Sequence, residues 1–163
     1  MMPSSLLVLA LCLAPFQQTT GVQMVKLREL EQRYANGGDT TYVVNLWATW
    51  CKPCVAELPW FEKLHRNAGN LAPIKVLLVS LDASSSIDAV GRFIARKGLT
   101  AEVALLDEGK PHRWIDRIDT TWSGSIPATL LVRRNGTMRE FHEQEFTYDE
   151  LRTTITRFQR TTP

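Results

Sequence analysis

The chain has 163 residues, 44% of them hydrophobic and 22% charged, with a net charge of +2. That length suffices for one domain with a core of normal size, and the composition is globular. So small a positive excess gives no reason to expect a nucleic-acid partner or a polybasic membrane contact.

The N-terminus differs from the rest. Residues 6–16 form an eleven-residue apolar run (LLVLALCLAPF), and the first charged side chain is Lys26. Gln17, Gln18, Thr19, Thr20 and Gly21 follow. This pattern predicts a secretory signal over residues 1–21, too short to span a bilayer, with Thr19 and Gly21 small enough to flank a cleavage site and Val22 the first mature residue. An exported, periplasmic chain is expected, either soluble after cleavage or tethered by an uncleaved N-terminus. Cys12 does not make a lipoprotein site, because Leu11 stands where a small residue is needed.

In chain order, residues 25–34 carry apolar side chains at 27, 30 and 34, which predicts a short amphipathic helix ended by Asn36-Gly37-Gly38-Asp39. Residues 42–47 (YVVNLW) predict a buried strand that runs directly into Cys51-Lys52-Pro53-Cys54. A helix over 53–67 follows, with Pro59 predicting a kink. Residues 74–81 form a second buried strand. Ser85 and Asp88 are spaced like a capping box for a helix ending at Gly98. A short strand over 102–106 and a short helix over 111–118 come next. A hairpin of 128–133 and 137–142 turns at Asn135-Gly136, and Thr147 with Glu150 caps a last helix to about Phe158. Strands alternating with helices, closed by a hairpin and a helix, predict one α/β domain over residues 22–163 with a mixed central sheet.

The two cysteines at 51 and 54 stand where a strand meets a helix. At that spacing they can close a disulfide with little backbone movement. Unpaired N–H groups and the positive end of the helix dipole stabilise a thiolate at Cys51, and Lys52 adds a cation. Cysteine pKa values in such settings fall to about 3.5–7.5 from about 8.5. Pro53 suits an early helical position, since the N–H it lacks would be unpaired there. Cys51, the more exposed thiol, is the expected attacker of a substrate disulfide, and Cys54 the thiol that resolves the mixed disulfide. A tetrahedral zinc site would need two further ligands; no second cysteine pair exists, and His65, His112 and His142 are scattered. No metal and no cofactor are therefore expected.

The segment Asn45-Leu46-Trp47-Ala48-Thr49-Trp50-Cys51-Lys52-Pro53-Cys54-Val55-Ala56-Glu57-Leu58-Pro59 resembles the active-site segment of the thioredoxin superfamily. More narrowly, it is similar to the extracytoplasmic TlpA and ResA-type branch. Ser125-Ile126-Pro127-Ala128-Thr129, ahead of a strand and an Asn-Gly turn, matches the family's cis-proline loop. The resemblance covers roughly residues 25–158. It implies a thioredoxin-like fold whose inserted strand–helix unit corresponds to residues 102–118, consistent with the 72 residues between Cys54 and Pro127.

Roles implied by the resemblance follow residue by residue. Asn45 stands where thioredoxins proper bury an aspartate, and Glu57 becomes the candidate proton acceptor and donor for Cys54. A carboxylate one helical turn beyond Cys54 could have its pKa raised by partial burial; the alternative is a surface glutamate paired with Lys63 or Arg66. A cis bond before Pro127 would expose the Ile126 backbone to a bound substrate chain and set the ring against the disulfide. Trp50, Lys52 and Pro53 would belong to the substrate surface, while Trp47 belongs to the core. One departure is visible: where the family usually has a glycine after the hairpin, this chain has His142-Glu143-Gln144-Glu145-Phe146.

The implied activity is thiol–disulfide exchange with protein substrates carrying a disulfide or dithiol, as a reductant kept reduced by a thiol protein in the membrane. A monomer is expected. Cytochrome c maturation is a family-level option. The alternatives are a thioredoxin-fold binding module or chaperone without redox turnover, and a thiol peroxidase.

Overall fold

A computed structural model describes residues 21–68 and 73–161. The expected signal, its cleavage site and Cys12 lie outside the described residues, apart from Gly21. Among the described residues no helix is long and apolar enough to cross a membrane.

The elements are β1 (Gln23–Val25), α1 (Leu27–Ala35), β2 (Thr41–Trp47), α2 (Lys52–Asn67), β3 (Ile74–Ser80), α3 (Ile87–Lys97), β4 (Glu102–Leu106), α4 (Ile115–Ile118), β5 (Ala128–Arg133), β6 (Met138–His142) and α5 (Tyr148–Arg160). They form a six-stranded sheet in the order β1-β4-β3-β2-β5-β6. The four strands β1, β4, β3 and β2 run parallel, and β5 and β6 join antiparallel. The mixed sheet agrees with the expected fold class. The inserted strand β4 is not appended at an edge; it lies between β1 and β3, so it has become part of the core.

β2 sits at the centre of the sheet and is buried along its whole length. Successive side chains alternate between faces, and this explains its nearly unbroken apolar run. Val43 and Trp47 pack with Leu58, Phe61 and Leu64 of α2, Val90 and Phe93 of α3, and Leu151, Ile155 and Phe158 of α5. Val44 and Leu46 face the other side, with Leu27, Leu30 and Tyr34 of α1, Trp114, Ile118 and Trp122. The same period of two puts Asn45 on the face that α2 covers. Directly across the β2–β5 ladder from Asn45 is Thr129.

Three local expectations are corrected. Val25 ends a strand rather than starting a helix: its three-residue β1 exists through pairing with β4, a long-range contact that local periodicity does not encode. No Ser85–Asp88 capping box forms, because residues 84–86 make a 3-10 turn, and α3 starts from Ser86 with no side-chain cap. The β5–β6 connection is longer than a two-residue Asn-Gly turn. Arg134, Asn135 and Gly136 all have positive φ, and Gly38 donates its N–H to Asn135 Oδ1 at 2.7 Å. By contrast, Thr147 and Glu150 cap α5 reciprocally, with Thr147 N–H donating to Glu150 Oε2 at 2.9 Å. α2 runs on through Pro59, which lacks the N–H that would bond to the Val55 carbonyl.

Candidate active site

The chain leaves β2 at Trp47 and must turn into α2 within a few residues. Asp82, buried at the end of β3, fixes that turn. Its carboxylate accepts from the Thr49 N–H at 2.9 Å, the Thr49 hydroxyl at 2.6 Å and the Ser80 hydroxyl at 2.8 Å. A further bond runs from the Leu81 N–H to the Trp47 carbonyl at 2.8 Å. The turn leaves Trp50 outside, 68% exposed, and brings Cys51 to the N-cap of α2 in an extended conformation.

Cys51 and Cys54 form a disulfide, with sulfurs 1.97 Å apart and Cα atoms 5.3 Å apart. Cys51 keeps 6% of its surface in solvent and Cys54 none. The Cys54 N–H points at Cys51 Sγ at 3.3 Å, a first-turn donor that would stabilise a thiolate there. Lys52 and Pro53, on the same first turn, are exposed. Opposite them the Ile126–Pro127 peptide bond is cis, and the Ile126 carbonyl oxygen lies 3.7 Å from Cys51 Sγ. Pro127 is buried and Ile126 half-buried.

Behind Cys54, one helical turn along α2, Glu57 is completely buried. Its Oε1 accepts from Asn45 Nδ2 at 2.7 Å, and its Oε2 accepts from the Phe146 N–H at 2.8 Å. Burial pushes the Glu57 carboxyl up from 4.5 to about 7, against the opposing pull of the Phe146 and Asn45 donors; the nearby Glu145 charge adds to the rise. Glu57 is thus not a surface residue paired with Lys63 or Arg66. Arg66 bonds instead to Glu62 at 2.8 Å, and Lys63 sits 3.9 Å over the Tyr148 ring. Glu62 is itself buried, which works against its charge. It nevertheless lies below the usual carboxylate range because Thr100, Ala101 and Arg66 all donate to it.

The fold therefore brings Trp50, Cys51, Lys52, Pro53, Cys54, Glu57, Ile126 and Pro127 to one end of the sheet. Residue patterning did not single out Asp82, Thr129 or the Phe146 N–H. Asp82 carried one readable signal, an acid directly after an apolar strand. The Phe146 contact carried none, since it is a backbone group 89 residues from its partner. Among the described residues no group of three or more His, Cys, Asp or Glu side chains is placed to hold a metal ion.

The profile described as the AhpC/TSA family matches residues 13–141. The thiol-disulfide oxidoreductase ResA of Oceanobacillus iheyensis is 30% identical over 110 residues, which are 67% of this chain and 52% of that protein. ResA of Bacillus thuringiensis is 32% identical over 108 residues, 66% of this chain and 57% of that protein. The chain thus spans little more than half the length of these curated relatives. Among solved structures, a thioredoxin-related protein from Neisseria meningitidis serogroup B superposes with a TM-score of 0.64 at 22% identity, covering 76% of this chain and 87% of that one. StoA from Bacillus subtilis gives a TM-score of 0.57 at 22% identity, covering 71% and 82%. The chain belongs to the AhpC/TSA family, and over the matched span it is similar to the ResA thiol-disulfide oxidoreductases.

Proposed function

We propose that this chain is a thiol–disulfide oxidoreductase that exchanges electrons with protein substrates through Cys51 and Cys54. The observation that carries the reading is the pairing of an almost closed dithiol centre with a buried acid. Cys51 alone of the two cysteines keeps any surface in solvent, and Glu57 stands behind Cys54 with its carboxyl pushed up to about 7.

In the reducing direction the Cys51 thiolate attacks one sulfur of the substrate disulfide. A Cys51–substrate disulfide forms and the other substrate sulfur leaves as a thiolate. Glu57, as carboxylate, takes the Cys54 proton. The Cys54 thiolate then attacks Cys51 Sγ, closing the internal disulfide and expelling the second substrate thiolate. Two electrons pass to the substrate, and Glu57 returns the proton when the centre is next reduced. Read backwards, the same steps oxidise a substrate dithiol.

Ile126, beside Cys51, offers its backbone to the substrate chain, and Pro127 holds that backbone in place. Trp50, Lys52 and Pro53 form the surrounding contact surface; their exposure supports this assignment. The chain works as an exported, monomeric reductant, periplasmic or tethered to the membrane, and a membrane thiol protein keeps it reduced. Its substrates are proteins, because a site with so little exposed sulfur relies on contacts around the cysteines for affinity.

Reduction of insulin by dithiothreitol tests the reading. The chain should accelerate it, and Cys51→Ser should abolish the acceleration. No acceleration would leave a binding module or chaperone, and peroxide consumption in its place would indicate a thiol peroxidase.

A further inference from the structure

The segment after β6 (residues 143–146) carries no glycine and two acids, and it touches the site at both ends. At one end the Phe146 N–H bonds to Glu57. At the other, Glu143 reaches across to the loop that precedes Pro127. Its Oε2 accepts from the Ser123 N–H at 2.9 Å, and its Oε1 accepts from the Ser123 hydroxyl. These donors hold the Glu143 carboxyl below its usual range, the hydroxyl first and the amide second.

The 123–126 loop is tied from the inside as well. Trp122, 4% exposed, stacks near Trp114 and Phe141 and donates its indole N–H to the Ser125 carbonyl at 2.7 Å. The Ser125 N–H donates to Ser123 Oγ at 3.3 Å, and the two hydroxyls are 3.0 Å apart. Gly124 has φ +93°, and a Cβ there would sit 3.0 Å from Ile115 Cδ1. An indole therefore anchors the loop from the core while a carboxylate anchors it from the surface. What they hold is the short stretch that delivers the Ile126 carbonyl to within 3.7 Å of Cys51 Sγ.

We propose that Glu143 is a positioning residue: its carboxylate clamps Ser123 and so fixes the 123–126 backbone against which a protein substrate lies. The proposal rests on the oxidoreductase reading and deepens it by naming what sets the substrate edge. It follows that the clamp matters for substrates that lay a chain along this edge, and not for a small disulfide that meets only Cys51. A carboxylate accepts both Ser123 donors at once, whereas a glutamine can accept only through its carbonyl oxygen.

The test compares insulin with 5,5′-dithiobis(2-nitrobenzoate) as oxidants of the reduced full chain, using wild type, Glu143→Ala, Glu143→Gln, Ser123→Ala and the Glu143→Ala/Ser123→Ala double variant. Both positions are exposed, so the variants keep the core intact. For insulin, Glu143→Ala should lower kcat/KM about 10-fold, through KM, with Glu143→Gln intermediate and the double variant no worse than Glu143→Ala. Rates with the small disulfide should stay at the wild-type value. Equal losses on both substrates, a loss confined to kcat, or no loss at all would overturn the clamp while leaving the oxidoreductase reading standing. A wild-type chain that reduces neither substrate would overturn both.

Discussion

Asn45 Nδ2 donates a 2.7 Å hydrogen bond to Oε1 of Glu57, joining the centre of β2 to the first turns of α2 inside the core. The Asn45 carbonyl oxygen on the same amide is buried and unpartnered. The pair thus accommodates a charged carboxylate, but with less compensation than full solvation would give, and the raised Glu57 pKa follows from that balance.

Stability should consequently fall as pH rises. Below about pH 4.5 the Glu57 carboxyl is protonated in the folded and unfolded chains alike. Between that pH and about 7 the unfolded chain releases the proton while the folded chain keeps it, so unfolding is favoured by higher pH. The full shift corresponds to about 3 kcal/mol, as an upper bound. Glu57→Gln should remove this component and be at least as stable as wild type at pH 8, since a glutamine N–H can reach the unpaired Asn45 oxygen after the Asn45 amide turns over. Urea unfolding of both proteins at pH 5 and pH 8 measures it; parallel pH dependence in the two proteins would count against the assignment.

The same substitution should separate the two chemical steps. Attack by Cys51 should proceed at close to the wild-type rate. Release of the mixed disulfide through Cys54 should slow on the order of 100-fold at neutral pH, the usual scale for losing a proton-transfer group. Rapid quenching with an alkylating reagent would detect the accumulated Cys51–substrate species. In wild type the release rate should rise with pH through about 7, and Glu57→Gln should lose that inflection.

Asp82 holds the bend that presents the cysteines. Asp82→Ala would leave the Thr49 N–H and two hydroxyls without their common acceptor. A cost of about 1 kcal/mol follows for the half-buried amide alone. Because Thr49 is two residues from Cys51, fluorescence of the exposed Trp50 should change along with thermal stability. A variant with unaltered melting and an unaltered Trp50 signal would mean that the bend is held by other contacts.

The two helix starts that look alike as sequence should respond differently. Thr147→Ala breaks a reciprocal cap and should cost about 1 kcal/mol. Ser85→Ala touches no cap bond and should stay within about 0.5 kcal/mol of wild type. Chemical denaturation of the two variants in parallel decides this.

What the sequence made legible was local or strongly patterned. The apolar run of β2, the strand-to-helix position of Cys51 and the capping of α5 are each written in neighbouring residues. β1 was not, because three residues become a strand only when β4 lies beside them. Nor was the Ser84–Ser86 turn, where a serine-rich stretch fits several helix starts equally well. At the site, Cys51 and Cys54 were readable from spacing, and Glu57 only through the family resemblance of the segment around them. Its complete burial was not readable, because that depends on Phe146 and α5 closing over α2. The Glu143–Ser123 contact joins two loops 20 residues apart with no periodic signal in either.

The proposed function requires Cys51 and Cys54 to form a working redox couple and not a structural disulfide. Equilibrating the chain against glutathione or dithiothreitol buffers and counting free thiols measures it most directly. The account predicts a single two-electron transition between about −270 and −120 mV, nearer the lower value for a reductant, and its loss in Cys51→Ser. A disulfide that stays closed down to potentials below about −300 mV would contradict it.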